Sequence, residues 1–519
     1  MNLKICLWGL VALSCTAGSC KSLFQPAVPG PEAPKRAPSE PPRIPDPDAE
    51  AAEVPSGYRV EAVVTDLTYP SSIDFDDEGN MFVAEAGHVY GDGAAPARIL
   101  RFSSAGDVHV VAEQLQGPVT DILWHDGKLF ISHKGKISVL RGEGKVEDLV
   151  THLPSLGDHH NNQLALGPDA KIYFGQGVAT NSGVVGIDNF LFLWLAKYPD
   201  FHDKPAKDVR LRGETFTTIN PTMLGDAKAT KLARTAAFSP FGAGDPKDNV
   251  VRGTVKANGT ILRMNPDGSA LGVYAWGLRN PFGVAWGPDG KLYVSDNGYD
   301  ERGTRPIANA PDFLWVVRKG GWYGFPDFVG GVPVTDKRFK PKHDAQPTFL
   351  MAEHPPVERP FLARPVHAAL TKLDFSPGGP FGFKGHLFMG ELGEMTPVTG
   401  QAGNPPAGFQ VVRIDPKTGE TPTFFKAKAQ ALGPQGFEYV ATAGPKRPVD
   451  VRFSPDGKAL YVVDLGAYAT LETAVPLPAP FEGTGVVWRI VKERTGDVSP
   501  PAGLSVKPGA TLNGNGRRQ

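Results

Sequence analysis

The chain has almost no cysteine. Its only three, Cys6, Cys15 and Cys20, lie at the very start of 519 residues. Everything beyond them therefore lacks disulfides, thiolate metal centres and the Cys-x-x-Cys-His motif that attaches haem. Charge surplus is missing too: 54 Lys and Arg face 55 Asp and Glu, for a net charge of -1. With no basic stripe, nothing points to nucleic acid as a partner. The one long apolar run, ICLWGLVALSCTAG, is too short to cross a bilayer comfortably. By contrast, 61 Gly and 50 Pro make turns frequent and favour many short strands over long helices.

The start of the chain reads as an export signal over residues 1–19: a basic MNLK, the apolar run, then small residues. Ser19-Cys20 has the form of a bacterial lipoprotein signal, which predicts a lipidated Cys20 and a periplasmic or outer-membrane-anchored protein. An ordinary signal peptide with incidental cysteines is the other reading. Residues 20–57 are rich in Pro, Ala and Glu, cannot build a core and are expected to form a disordered tether. The folded body is expected over 58–495, with a flexible tail at 496–519.

One hairpin pattern recurs through that body. Its copies are SIDFDDEGNMFVAEAG (72–87), DILWHDGKLFISHKG (121–135), QLALGPDAKIYFGQG (163–177), GLRNPFGVAWGPDGKLYVSDNG (277–298), KLDFSPGGPFGFKGHLFMGELG (372–393) and DVRFSPDGKALYVVDLG (450–466). Each is an apolar strand, a turn around Asp-Gly or a near equivalent, and a second apolar strand. Most are followed by a further strand pair such as KISVLRGEGKVEDLV. Four strands per unit and six units predict an all-β fold, a six-bladed β-propeller of four-stranded antiparallel blades. YRVEAVV near 58–64 would close the ring beside VVWRIVK (486–492). The main insertion falls at roughly 179–258 and should wall the pocket face.

In such a ring the first strand of each blade lines the channel, so the residues before it and after the second strand share one rim. That rim is expected to gather Gly117 to Thr120, Asp158 to Asn162, Arg279 with Asn280, and Lys446 with Arg447. It should also gather Glu85, His133, Gln176, Asp296 with Asn297, Glu391 and Asp464. Asp158, His159 and His160 place imidazoles beside a carboxylate, a natural general-base arrangement; the same residues could simply bond the blade's backbone. Arg279 and Asn280 could polarise a carbonyl or hold an anion, or tie blades together. DNGYDERGTRP offers oxygen ligands for calcium without the spacing of an EF-hand, and is equally a solvated acidic turn. GGWYGFPDF presents Trp322 and Tyr323 among glycines, for stacking on a sugar or for packing within the blade. A ring of Glu85, Asn162, Asp296 and Asp464 would instead suit a calcium-dependent hydrolase, and a non-catalytic binding propeller is a third reading.

Taken in order, GDHHNNQLALGPDAKIY, TILRMNPDGS, GLRNPFGVAWGPDGKLYVSDNG and RKGGWYGFPDF resemble the soluble quinoprotein glucose and sorbosone dehydrogenases. The resemblance covers roughly 58–492 and is most specific between 157 and 328. It implies a propeller that binds pyrroloquinoline quinone (PQQ) and Ca2+ and oxidises an aldose, passing electrons to a separate acceptor. Position by position it implies that His159 is the base, that Asp158 orients it and that Arg279 polarises the quinone C5 carbonyl. Asn280, Arg447 and Gln116 would contact the cofactor, and the backbone carbonyls of Gly298 and Tyr299 would hold calcium. Three positions depart from the family pattern: Val449 and Gly393 stand where cations are expected, and Asn297 where a glutamine is. Lys446, Arg302 and Arg305 are the nearby cations left to compensate.

Overall fold

A computed structural model describes residues 44–87, 97–104, 106–142, 144–191, 194–220, 232–395, 399, 406–429, 442–471, 477–493 and 503–506. The expected export signal and Cys20 lie outside the described residues. Six antiparallel sheets form the body. Their innermost strands are Pro70–Phe75, Val119–His125, Asn161–Leu166, Pro281–Trp286, Leu370–Phe375 and Pro448–Phe453. Each neighbours the next, and the last neighbours the first, so the ring closes. The protein is a six-bladed β-propeller, as the hairpin count predicts. Between blades, facing apolar residues interdigitate; Phe130, Ile137, Leu164 and Phe174 form one such layer between the second and third blades.

The ring is closed by the strand Tyr58–Leu67, which pairs antiparallel with Gly485–Lys492 in the register Tyr58 to Lys492. Two expected boundaries are wrong. Within the expected tether, Ala52–Glu53 pairs with Ala427 and Lys426 as a fifth strand on the fifth blade, and Asp48 N donates to Ala443 O. Within the expected tail, Leu504–Ser505 pairs parallel with Val64 and Thr65 on the sixth blade. A two-residue ladder needs no strand pattern of its own, only an edge that offers unpaired backbone groups. That is how both escaped the sequence reading.

Every innermost strand slips register near its start: at Pro70/Ser72, Val119/Asp121, Asn161/Leu164, Pro281/Gly283, Leu370/Leu373 and Pro448/Asp450. Such bulges bend a strand and re-aim its side chains. Here they accompany a polar plug on the channel axis. Lys372 Nζ lies 2.7 Å from Asp121 Oδ1, 3.3 Å from Asp450 Oδ2 and 2.7 Å from Ser71 O. Ser72 Oγ lies 2.7 Å from Asp121 Oδ1 and 3.0 Å from Asp450 Oδ2, its one hydrogen shared between them, and Gln163 reaches Leu373 O and Val284 N. All six blades are thus tied at the centre.

Lys372→Met leaves two buried carboxylates without their cation. It should lower unfolding free energy by about 3–5 kcal/mol, read by urea denaturation. A loss within about 0.5 kcal/mol would contradict the plug.

Candidate active site

Most strand-exit residues brace backbone and neighbouring side chains, and of the carboxylates among them only Asp296 also lines the cleft beside Arg279 among the described residues. Asp296 Oδ1 accepts Arg279 N at 3.1 Å and Asn280 N at 2.7 Å, and its Oδ2 accepts Trp315 Nε1 at 3.2 Å. Asp464 repeats the device on Lys446 N, Arg447 N and Trp488 Nε1. Glu85 binds Thr68 N and Arg98, Glu391 binds Arg364 and Gln410, Gln176 meets Ser155 and His133 meets Ser138. These are braces that hold the strand starts at fixed positions, so the expected gathering around the pocket is corrected. Burial pushes the Asp296 carboxyl up to about 7. The alternative ring of calcium ligands also fails. Its three carboxylates are engaged as braces, and no cluster of three or more metal-ligating acids or histidines occurs among the described residues; Asn162 donates Nδ2 to Asn280 Oδ1 and Pro281 O.

His159 is buried at the start of the third blade, where Gly177 makes room for it. A Cβ on Gly177 would lie 2.4 Å from His159 Cβ and 2.9 Å from Asn280 Oδ1. His159 Nδ1 sits 2.9 Å from Val178 O. A carbonyl can only accept, so Nδ1 carries the hydrogen and Nε2 keeps its lone pair in the neutral ring. Burial, then the Arg279 guanidinium, hold the imidazole well below the usual histidine range despite that hydrogen bond. Asp158 does not orient it. The Asp158 carboxylate is engaged by Arg302 Nη2 at 2.7 Å and Asn189 Nδ2 at 3.2 Å, so the Val178 carbonyl has the role expected of Asp158. His160 points elsewhere: its Nδ1 meets Ser155 O at 3.3 Å and its ring edge packs on Trp194.

Arg279 donates from Nε to Asn181 O at 3.0 Å and from Nη2 to Asn181 Oδ1 at 2.8 Å and Asp300 Oδ2 at 2.9 Å. Its guanidinium lies over the Tyr299 ring and lines a cleft with Asn297, Gly298, Tyr299 and Phe325. Asn280 links Asn162 to Asn297 through its amide. Gly298 N donates to Asp312 Oδ1 at 2.7 Å. No donor bonds the carbonyl oxygen of Gly298 or Tyr299 among the described residues. Such orphaned carbonyls at the edge of a cleft suit a hard cation.

The remaining cations are occupied. Arg302 pairs with Asp158, Asp188 and Asp300. Arg305 pairs with Asp327 and caps Ser182 O, Pro326 O and Thr348 O. Both are held in internal ion pairs. Arg447 caps the carbonyls of Leu392, Gly393 and Glu394 and stacks on Phe409. Lys446 is buried, which lowers its pKa, with Nζ 3.4 Å from Gly444 O. Gln116 stands exposed beside His133 at the junction of the first two blades. Trp322 and Tyr323 are buried rather than presented; Trp322 packs on Trp276 and Phe328, and Tyr323 on Trp315.

The insertion does wall this face. Its helix Ile187–Leu191 brings Asp188 to Arg302, and Asn181 joins Arg279 to the backbone of Asp300 and Arg302. Asn181, Asp300 and His367, whose Nδ1 lies 3.8 Å from Asp300 Oδ1, are site residues that the sequence did not single out, and Arg302, expected as a compensating cation, is instead an internal partner of carboxylates. The mixed charges of DNGYDERGTRP were the available signal. Arginines within an acidic loop mark internal pairing at least as well as they mark a cation site.

Gly393 takes a φ of 94°, and a Cβ there would lie 2.5 Å from the Phe409 ring. The position therefore has no room for the cation that the resemblance implies. Gly393→Ala should cost at least about 1 kcal/mol, measured by thermal denaturation; a neutral result would contradict this packing.

Residues 242–401 match the family described as Glucose / Sorbosone dehydrogenase. Quinoprotein glucose dehydrogenase B of Acinetobacter calcoaceticus is 27% identical over 188 residues, 36% of this chain and 30% of that protein. The match thus spans less than a third of that relative's length. The holo PQQ domain of pyranose dehydrogenase from Coprinopsis cinerea shares the fold at 16% identity, with 86% of this chain and 98% of that one covered and a TM-score of 0.51. A Trichoderma reesei protein of Carbohydrate-Active Enzymes Family AA12 does so at 14% identity, with 88% and 100% covered and a TM-score of 0.51. The matched segment contains Arg279, Asn280, Gly298 and Tyr299, and over it the chain is similar to the glucose/sorbosone dehydrogenase family.

Proposed function

We propose that this propeller oxidises an aldose or a related sugar or alcohol in a PQQ- and calcium-dependent reaction and passes the electrons to a separate acceptor. The observation that carries the reading is the state of His159. It is buried and neutral, with Nδ1 held by Val178 O and Nε2 kept as an acceptor, and Arg279 is close enough to influence its charge. A base poised in this way can take the proton of a sugar hydroxyl at neutral pH.

PQQ, when bound, would supply a quinone that accepts hydride. The chain's own groups fit its reactive end. Nε and Nη2 of Arg279 are fixed by Asn181 and Asp300, which orients a rigid cation toward the cleft to stabilise developing negative charge. Asn280, braced by Asn162 and Asn297, would hold the cofactor in register. The carbonyls of Gly298 and Tyr299 would hold the calcium. Arg447 and Gln116 would meet the cofactor's outer edge, where this chain offers fewer cations than the family pattern. The calcium-hydrolase reading has no support from the braced carboxylates. The export signal, with Cys20 as its lipidated residue, would place the reaction in the periplasm or at the outer membrane.

His159→Ala should lower turnover of PQQ- and calcium-loaded protein by about 10²–10⁴-fold, with the fold and PQQ affinity retained. His160→Ala, whose ring packs on Trp194, should change turnover far less. Arg279→Ala should weaken both PQQ binding and turnover. The limb of the pH–rate profile that reports the base should lie below pH 6.5, the ordinary histidine value, because the imidazole resists protonation. Equal losses at His159 and His160 would overturn the assignment.

A further inference from the structure

We propose that Arg302 is the positioning residue of this site: one buried guanidinium that locks the His159 segment, the Arg279 pair and the insertion into a single arrangement. The inference rests on reading His159 as the base. Arg302 lies outside all six hairpins, yet its side chain is 3% exposed and meets one carboxylate of its own loop and two from distant segments. Nη2 donates to Asp158 Oδ2 at 2.7 Å, Nη1 to Asp188 Oδ2 at 2.7 Å and Nε to Asp300 Oδ2 at 3.1 Å. Asp158 immediately precedes His159. Asp300 accepts Arg279 on the same oxygen that receives Arg302. Asp188 comes from the insertion. The next residue along, Gly303, has a φ of 81°, and a Cβ there would lie 2.7 Å from each Asp188 carboxylate oxygen, so the backbone is shaped to admit this contact.

Two consequences follow from the chemistry. A planar fork can direct separate N–H groups at three carboxylates at once, which a lysine ammonium on a flexible stem cannot do in the same geometry. The cluster also sets the charge that His159 experiences. The groups acting on the imidazole are Arg279 at the start of the fourth blade, Arg302 from the loop between that blade's second and third strands, the Val178 carbonyl and neighbouring His160. Arg302 disfavours the imidazolium directly, and it neutralises Asp158, which would otherwise stand as an uncompensated carboxylate one residue away. A purely structural arginine would affect stability and leave the proton affinity of His159 where it was.

The test reads protonation rather than turnover. The full chain is labelled with ¹⁵N-histidine without cofactor, and the His159 signals are assigned with His159→Gln and followed by NMR against pH. The wild-type ring should stay neutral well below pH 6.5. In Arg302→Met its midpoint should move upward, and in Arg302→Lys, which keeps the charge, it should stay near wild type. Where Arg302→Met does not fold, Arg302→Met/Asp188→Asn removes one buried anion with the cation and should show the same upward shift. A folded variant of either kind with an unchanged or lower midpoint overturns the proposal, as does a wild-type ring that titrates at or above pH 6.5. If the shift occurs in a protein that oxidises no sugar, the Arg302 result stands and the dehydrogenase reading fails.

Discussion

A single lysine ammonium on the propeller axis sets the geometry from which the rest is built. Lys372 brings Asp121 of the second blade, Asp450 of the sixth and the Ser71 carbonyl of the first to one point, and itself belongs to the fifth. Gln163 extends the network to the third and fourth blades. An apolar plug could fill the same space, but it would not specify the register of six strands. Each strand carries its bulge close to this layer. The bulge turns the residues ahead of it, including His159 and Arg279, onto the rim.

The rim is fixed by a second set of ionic contacts whose logic is backbone capture. Asp296 and Asp464 each collect the amide hydrogens of the two residues that precede an innermost strand, and each also holds an indole N–H. These carboxylates are used for position. In the proposed reaction the chemistry falls to His159, held neutral by burial and nearby guanidinium charge, and to Arg279, whose hydrogen bonds orient it. Against the burial penalty, Arg279 and Arg302 hold the Asp300 carboxyl below its usual range, so the acidic loop is neutralised from within.

The fold was legible because its signals are local. An Asp-Gly turn, or a near equivalent, between alternating apolar residues specifies a hairpin without reference to anything distant, and six such hairpins fix the blade number. The closing strand was legible through its length and pattern. The two-residue strands at Ala52 and Leu504 were not, because their pairing depends on an open edge of another blade. At the site, His159 and Arg279 could be singled out from residue type and position before a strand. Whether Asp158 would orient His159 could not be read, since its actual partner, Arg302, is 144 residues away. Residue type also cannot say whether a carboxylate will face a ligand or cap a backbone amide. That ambiguity placed Glu85 and Asp464 in the pocket, and the same kind of ambiguity left Trp322 open between solvent and the packed core.

The central claim is that this site couples sugar oxidation to a bound quinone through calcium. The most direct measurement reconstitutes the purified chain with PQQ and Ca2+, removes oxygen and adds a panel of aldoses while the quinone absorbance is recorded. The account predicts loss of the oxidised-quinone band with at least one aldose, no loss when calcium is chelated, and recovery when an artificial electron acceptor is added. Retained PQQ whose spectrum no aldose changes, or a change that is indifferent to calcium, would contradict it.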